Sequence, residues 1–126
     1  MKMTFSEAIK SVLVTNYANF SGRARRSEYW YLVLFNFILY FAFIAISSIS
    51  ESMILICTLI YSLLNLAMII PSIAVCVRRL HDIGKSGWNL LWAFVPIVGF
   101  ILFIIWYCKD SEPGANKWGN NPKIQA

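Results

Sequence analysis

The chain has 126 residues, 59% of them hydrophobic and 16% aromatic. Only 13% are charged, against roughly 25% in an average soluble domain. The net charge of +5 is gathered at the borders of long uncharged stretches, which excludes an ordinary soluble domain and makes anionic lipid headgroups, rather than nucleic acid, the natural counterpart of the basic residues.

Residues 4–20 read as an amphipathic helix. Thr4 and Glu7 have capping-box spacing. Phe5, Ala8, Ile9, Val12, Leu13, Tyr17 and Phe20 recur at helical intervals, with Lys10 and Asn16 on the other side. Such a helix either lies in the membrane interface, apolar face down, or packs against the ends of the spans. Gly22 is suited to end it. Arg23, Arg25, Arg26 and Glu28 then lead into Tyr29, Trp30 and Tyr31, an aromatic belt of the kind that settles at headgroup level. The first 28 residues are too long for a secretory n-region, so the first span is expected to remain uncleaved.

Residues 29–50, 53–77 and 88–108 hold no charged side chain. Each is about as long as the ~20 apolar residues a helix needs to cross ~30 Å of hydrocarbon. The expected fold class is all-α: a polytopic transmembrane helical bundle of three membrane helices preceded by the amphipathic helix, forming a single integral membrane domain over residues 1–126. A tight polar turn at residues 47–52 joins the first two spans. Each of these spans carries one amide, Asn36 and Asn65, expected to hydrogen-bond across the helix pair, with a ligand contact as the alternative. Pro71 removes a backbone donor and should kink the second span near Ala67.

The third segment contains Pro96-Ile97-Val98-Gly99, which either bends it or turns it back as a re-entrant hairpin. Lys and Arg favour the cytoplasmic side, so the N-terminus and the loop at residues 78–85 are expected inside and Glu51 outside. Length favours a third crossing, which would put the tail, residues 109–126, outside. The charge count favours re-entry, with every basic residue inside. The expectation adopted is three spans with a cytoplasmic N-terminus. The tail holds Pro113, Gly114, Gly119 and Pro122 and reads as a loop, with Trp118 as an interfacial anchor.

Little in the chain points to chemistry. Gly84-Lys85-Ser86 resembles the end of a P-loop, but Arg79 stands where the first glycine is needed and no strand precedes it. Cys57, Cys76 and Cys108 lack metal-ligand spacing and read as small apolar residues. His81 and Asp82 have no convergent nucleophile. No metal, cofactor or enzymatic activity is expected. The densest constellation is a pair of basic clusters that an antiparallel helix pair must bring together: Arg23, Arg25, Arg26, Glu28 and Trp30 at the start of the first span, and Arg78, Arg79, His81, Asp82, Lys85 and Trp88 after the second. Glu28 and Asp82 can offset two cations through fork-like hydrogen bonds, and phosphate matches guanidinium geometry for the rest. Three readings stay open: a salt-bridge network tying the inner ends together, a headgroup or phosphorylated-ligand site, and a docking surface for a partner protein. Membrane lipids are the expected partners, with a homo-oligomer or a membrane-protein partner also open. The alternative function is an oligomeric transporter or channel component for a small solute, lined by Asn36, Asn65 and the Pro-Gly breaks.

These segments also carry a resemblance. Phe20-Ser21-Gly22-Arg23-Ala24-Arg25-Arg26-Ser27-Glu28-Tyr29-Trp30 resembles the F-x-G-R-x-x-R-x-E-[YF]-W signature of the domain-of-unknown-function family 805, the YhaH-like bacterial inner-membrane proteins. Arg78-Arg79-Leu80-His81-Asp82-Ile83-Gly84-Lys85-Ser86-Gly87-Trp88 resembles its second signature, R-R-[LA]-H-D-x-[GN]-x-S-G-W. The Pro96–Gly99 bend and the tail Pro113-Gly114-Ala115-Asn116-Lys117-Trp118-Gly119-Asn120-Asn121-Pro122 resemble two further family patterns. Asn121 departs from the Asp common there, which argues against an essential carboxylate at that position. The resemblance implies a bacterial inner-membrane protein of unassigned activity and supplies no catalytic residues.

Overall fold

The computed structural model describes residues 3–119, 121 and 122; Lys2, Lys123 and the last tail residues fall outside this set. Helix α1, Phe5–Lys10, starts at Thr4, whose hydroxyl accepts the Glu7 N–H at 3.2 Å and donates to the Glu7 carboxylate at 3.0 Å. It passes into a π-helical turn, Ser11–Thr15. The helical run ends there instead of reaching Phe20. Asn16 turns its amide back to the Ser11 hydroxyl and Asn19 turns its own to Asn16, an alternative to helical bonding that asparagine side chains readily offer. Of the two placements open from sequence, the structure takes packing. Phe5 meets the rings of Tyr31 and Phe35, and Val12 is fully buried with Leu32 and Met68.

Two long helices follow, α2, Arg26–Ser47, and α3, Glu51–Asp82. At 1.5 Å per residue, the 22 residues of α2 reach about 33 Å, enough to cross a bilayer. Helix α3, at 32 residues, exceeds the expected span because Arg78 to Asp82 continue the helix rather than opening a loop. Cations there complement the negative end of the helix dipole. Pro71 lies buried inside α3, which continues through it. A proline leaves the carbonyl four residues earlier without its helical donor; here that carbonyl belongs to Ala67 and receives the Tyr17 hydroxyl. The expected cross-helix amide bonds do not form: Asn36 donates to the Leu32 carbonyl and Asn65 to the Tyr61 carbonyl, each on its own helix. A carbonyl four residues back is always within reach, whereas a facing helix need not be.

The third apolar segment is where sequence and structure differ most. It is not one helix over residues 88–108 but a 3-10 helix, Gly87–Phe94, and a shorter third apolar helix α4, Val98–Cys108. Between them Ile97 adopts φ 67° and ψ −63°, and the Val98 N–H bonds to the Pro96 carbonyl at 2.7 Å. That is a γ-turn of the strained kind. Gly99 lets the two arms meet, because a Cβ there would run into the Trp92 carbonyl oxygen. The segment therefore returns to the end it left. Gly87 packs on Val77 of α3, and at the other end the Tyr107 carbonyl accepts the Trp30 indole N–H at 2.8 Å. The expected single helix over residues 88–108 is thus two shorter ones, and the tail lies at the end where α2 begins.

Both buried clusters sit at this one end. One joins Val12, Ala24, Leu32, Met68 and Val75; the other joins Leu80, Ile83, Trp106 and Tyr107. The remote halves of α2 and α3 expose nearly all their apolar side chains, as helices facing lipid do.

Candidate functional site

The sequence-selected residues converge at the end where α2 begins and α3 finishes. Glu28, in the first turn of α2, accepts from Arg78 Nη1 at 2.8 Å and from the Ser11 hydroxyl at 2.7 Å. Asp82 holds two arginines at once, Arg23 Nε on one oxygen and Arg79 Nη1 on the other, each at 3.0 Å. The Ser111 hydroxyl donates to Asp82 as well. All three ion pairs are buried: Arg79 and Asp82 are 0% exposed and Arg78 1%. Buried pairs of this kind stabilise only when their remaining polar atoms are also met.

Arg23 shows how that is done. Its five N–H groups reach the Asp82 carboxylate and carbonyl and the Glu112, Gly114 and Gly119 carbonyls, at 2.6 to 3.2 Å. One guanidinium thus knits the last residue of α3 to the tail. Arg78 Nε donates to the Asn19 carbonyl at 3.1 Å, and Arg26 to the Cys108 carbonyl at 3.0 Å. The anions that sequence reasoning required for the surplus cations are thus largely backbone carbonyls.

His81 lies in the charged last turn of α3, beyond the uncharged stretch that ends at Val77. Its Nδ1 is 2.9 Å from the Gly22 carbonyl. A carbonyl can only accept, so Nδ1 carries the proton. Its ring stacks on Trp118 at 4.5 Å and 5°, so this tryptophan packs within the tail contact instead of serving only as an interfacial anchor. Burial lowers the imidazole pKa from its usual value, the bond to Gly22 opposes that, and the nearby Lys117 ammonium lowers it further. The tail is held by a small loop in which Asn116 and Gly119 exchange backbone bonds, and the Asn116 amide reaches the His81 carbonyl at 2.9 Å.

Not every selected residue joins the cluster. Trp88 is 79% exposed at the mouth of the third segment. Lys85 points its ammonium over the Trp106 ring at 5.0 Å. Arg26 is exposed and Arg25 partly so. Asn36 and Asn65 lie away in the spans. Ser11, Asn19 and the tail residues Ser111, Glu112 and Asn116 were missed. The closing tail motif was the one signal for the last of these; nothing in sequence announced Ser11. Beside the cluster an open crevice of about 480 Å³, lined by Ile83, Gly84 and residues 109–113, mixes Lys109 with Asp110 and Glu112, so its charge selects neither sign.

The model of the family described as "Protein of unknown function (DUF805)" matches residues 17–120, a range that takes in the whole polar cluster except Ser11. The inner membrane protein YhaI of Escherichia coli is 38% identical over 113 residues, covering 89% of this chain and 92% of its own length. The inner membrane protein YhaH of the same organism is 35% identical over 120 residues, covering 90% and 94%. No solved structure is significantly similar. Two helices long and apolar enough to cross a bilayer, together with these relatives, place the protein in the bacterial inner membrane. The chain belongs to the DUF805 family of proteins of unknown function.

Proposed function

We propose that this is a small, non-enzymatic inner-membrane module whose basic end seats against anionic lipid headgroups, with that end and the N-terminus in the cytoplasm. The observation that carries the reading is the distribution of exposed charge. Lys10, Arg26, Lys109 and Lys117 are exposed at the end that holds the buried cluster and outnumber its exposed acids, Glu7 and Asp110, whereas the turn between α2 and α3 presents Glu51. Cations beside an anionic surface contribute about 1 kcal/mol each, and Trp30 and Trp88 supply interfacial rings. Arg23, Arg78 and Arg79 outnumber Glu28 and Asp82 within the cluster, which adds to the positive potential there. A non-enzymatic reading is supported by the engagement of His81 and Asp82 in backbone and arginine bonds.

The test uses the exposed cations, because replacing Arg78 or Arg79 would disrupt the fold. Lys10→Gln, Arg26→Gln and Lys109→Gln combined should leave the protein folded and reduce the phosphatidylglycerol retained in native mass spectrometry from mild detergent. Equal retention by the folded triple variant refutes the headgroup reading.

A further inference from the structure

We propose that residues 87–108 form a re-entrant hairpin lodged in a single leaflet, so that the protein is a wedge whose apolar flank is covered by the acyl chains of the leaflet at its basic end. Length comes first. The eight residues of the 3-10 arm reach about 16 Å at 2.0 Å per residue, and the 11 residues of α4 about 16 Å at 1.5 Å per residue. Each arm therefore spans half of a ~30 Å hydrocarbon core, while α2 spans all of it.

Both arms are tethered at one level. The Lys85 ammonium lies over Trp106, Arg26 holds the Cys108 carbonyl, and Lys109 follows at once. These charges keep the base of the hairpin at the aqueous boundary. The tip is the opposite: Phe94 is 82% exposed and Ile97 75%, with no charged residue anywhere in the segment. Unmet backbone donors are costly in hydrocarbon. Four of the turn's N–H groups, those of Val95, Val98, Gly99 and Ile101, are bonded to the carbonyls of Trp92, Pro96, Val95 and Ile97, and Pro96 has none to satisfy, while those of Ile97 and Phe100 take no backbone carbonyl. A tip lying in water would not need so apolar a surface.

The width is as unequal as the depth. At the basic end α1 and the π-helical turn flank α2 on their own account, through Phe5, Val12 and Leu13, and the hairpin adds two more arms. Among the described residues only α2 and α3 reach the far half, with a bare apolar groove of about 290 Å³ between them, lined by residues such as Ala42, Ile46, Met53 and Ile60. A body that is broad in one leaflet and narrow in the other fits best where the broad leaflet is convex. The inference needs no particular headgroup, so it outlives a failure of the charge test above.

Site-directed nitroxides in liposomes test it, on a chain whose native cysteines are replaced by serine or alanine. Labels at Ile97→Cys, Ser48→Cys and Ala115→Cys are compared. The Ile97 label should show high oxygen and low nickel-chelate accessibility, as at the bilayer centre. The other two should meet an impermeant reagent from opposite sides. A chelate-accessible Ile97 label, or Ser48 and Ala115 labels on one side, overturns the proposal. If the labelled chains fail to fold, reporters fused to either terminus of the intact chain should be active in the same compartment; activity in opposite compartments overturns it. Intact protein in vesicles with drawn membrane tubes should be enriched in a tube when its basic end lies in the outer, convex leaflet; enrichment only in the reverse orientation overturns the wedge.

Discussion

The two ends of the α2–α3 pair follow opposite physical rules. At the basic end, carboxylates, arginines, an imidazole and backbone carbonyls are buried together, with all five Arg23 donors bonded and Arg78 Nη2 and Arg79 Nε left without a partner. At the far end two apolar helices meet lipid across most of their surface, joined by a short serine-rich turn. Lipid is as apolar as leucine, so it offers no hydrophobic drive to hold that far end together. The contrast teaches that the tertiary structure of this protein is specified by its polar cluster, and that the spans mainly supply length and insertion.

The comparison is most directly broken at Asp82. Asp82→Ala strands two buried arginines, and removing one partner of a buried pair costs about 3–5 kcal/mol. Thermal unfolding in detergent, followed by circular dichroism, should lose its cooperative transition or shift far down. A change of the reverse sign is expected at the hairpin. Ile97→Gly relieves a positive-φ residue, a strain of about 1–3 kcal/mol, and should raise the same midpoint. Tyr17→Phe removes the hydroxyl that serves the Ala67 carbonyl beside Pro71 and should cost about 1 kcal/mol.

Acid sharpens the contrast more gently. The folded chain holds His81 below its ordinary value, so the unfolded chain binds more protons once the pH drops below about 6.5. Stability is therefore fully present above that pH and declines as the pH falls through the depressed folded value. The unfolding midpoint should show this decline between pH 7.5 and 5.5, and His81→Gln should flatten it. The smallest effect belongs to the far region. Asn65→Leu touches only its own helix and should stay within about 0.5 kcal/mol. A loss as large as that of Asp82→Ala would end the claim that the ends differ.

Much of the fold was legible because burial in lipid imposes a simple code. Uncharged runs of sufficient length announced α2 and most of α3, and Thr4 with Glu7 announced the start of α1. Two arginine-rich motifs at facing helix ends announced the cluster, since an antiparallel pair has to bring Glu28 near Arg78. Composition also tied the chain to the membrane, because so many apolar residues cannot be covered by so small a protein. What tertiary structure alone decided is how the polar atoms were shared out. Arg23 could be assigned to phosphate, carboxylate or carbonyl by its chemistry, and only the tertiary structure gave it the Asp82 carboxylate together with the tail carbonyls. Asn36 and Asn65 could have bonded across the pair, and only the folded helices show each amide on a carbonyl of its own helix. The path of residues 87–108 depended on one γ-turn and on the close approach that Gly99 allows. Hydropathy measures how a segment partitions between water and lipid, and that quantity is the same for an arm that crosses and an arm that turns back.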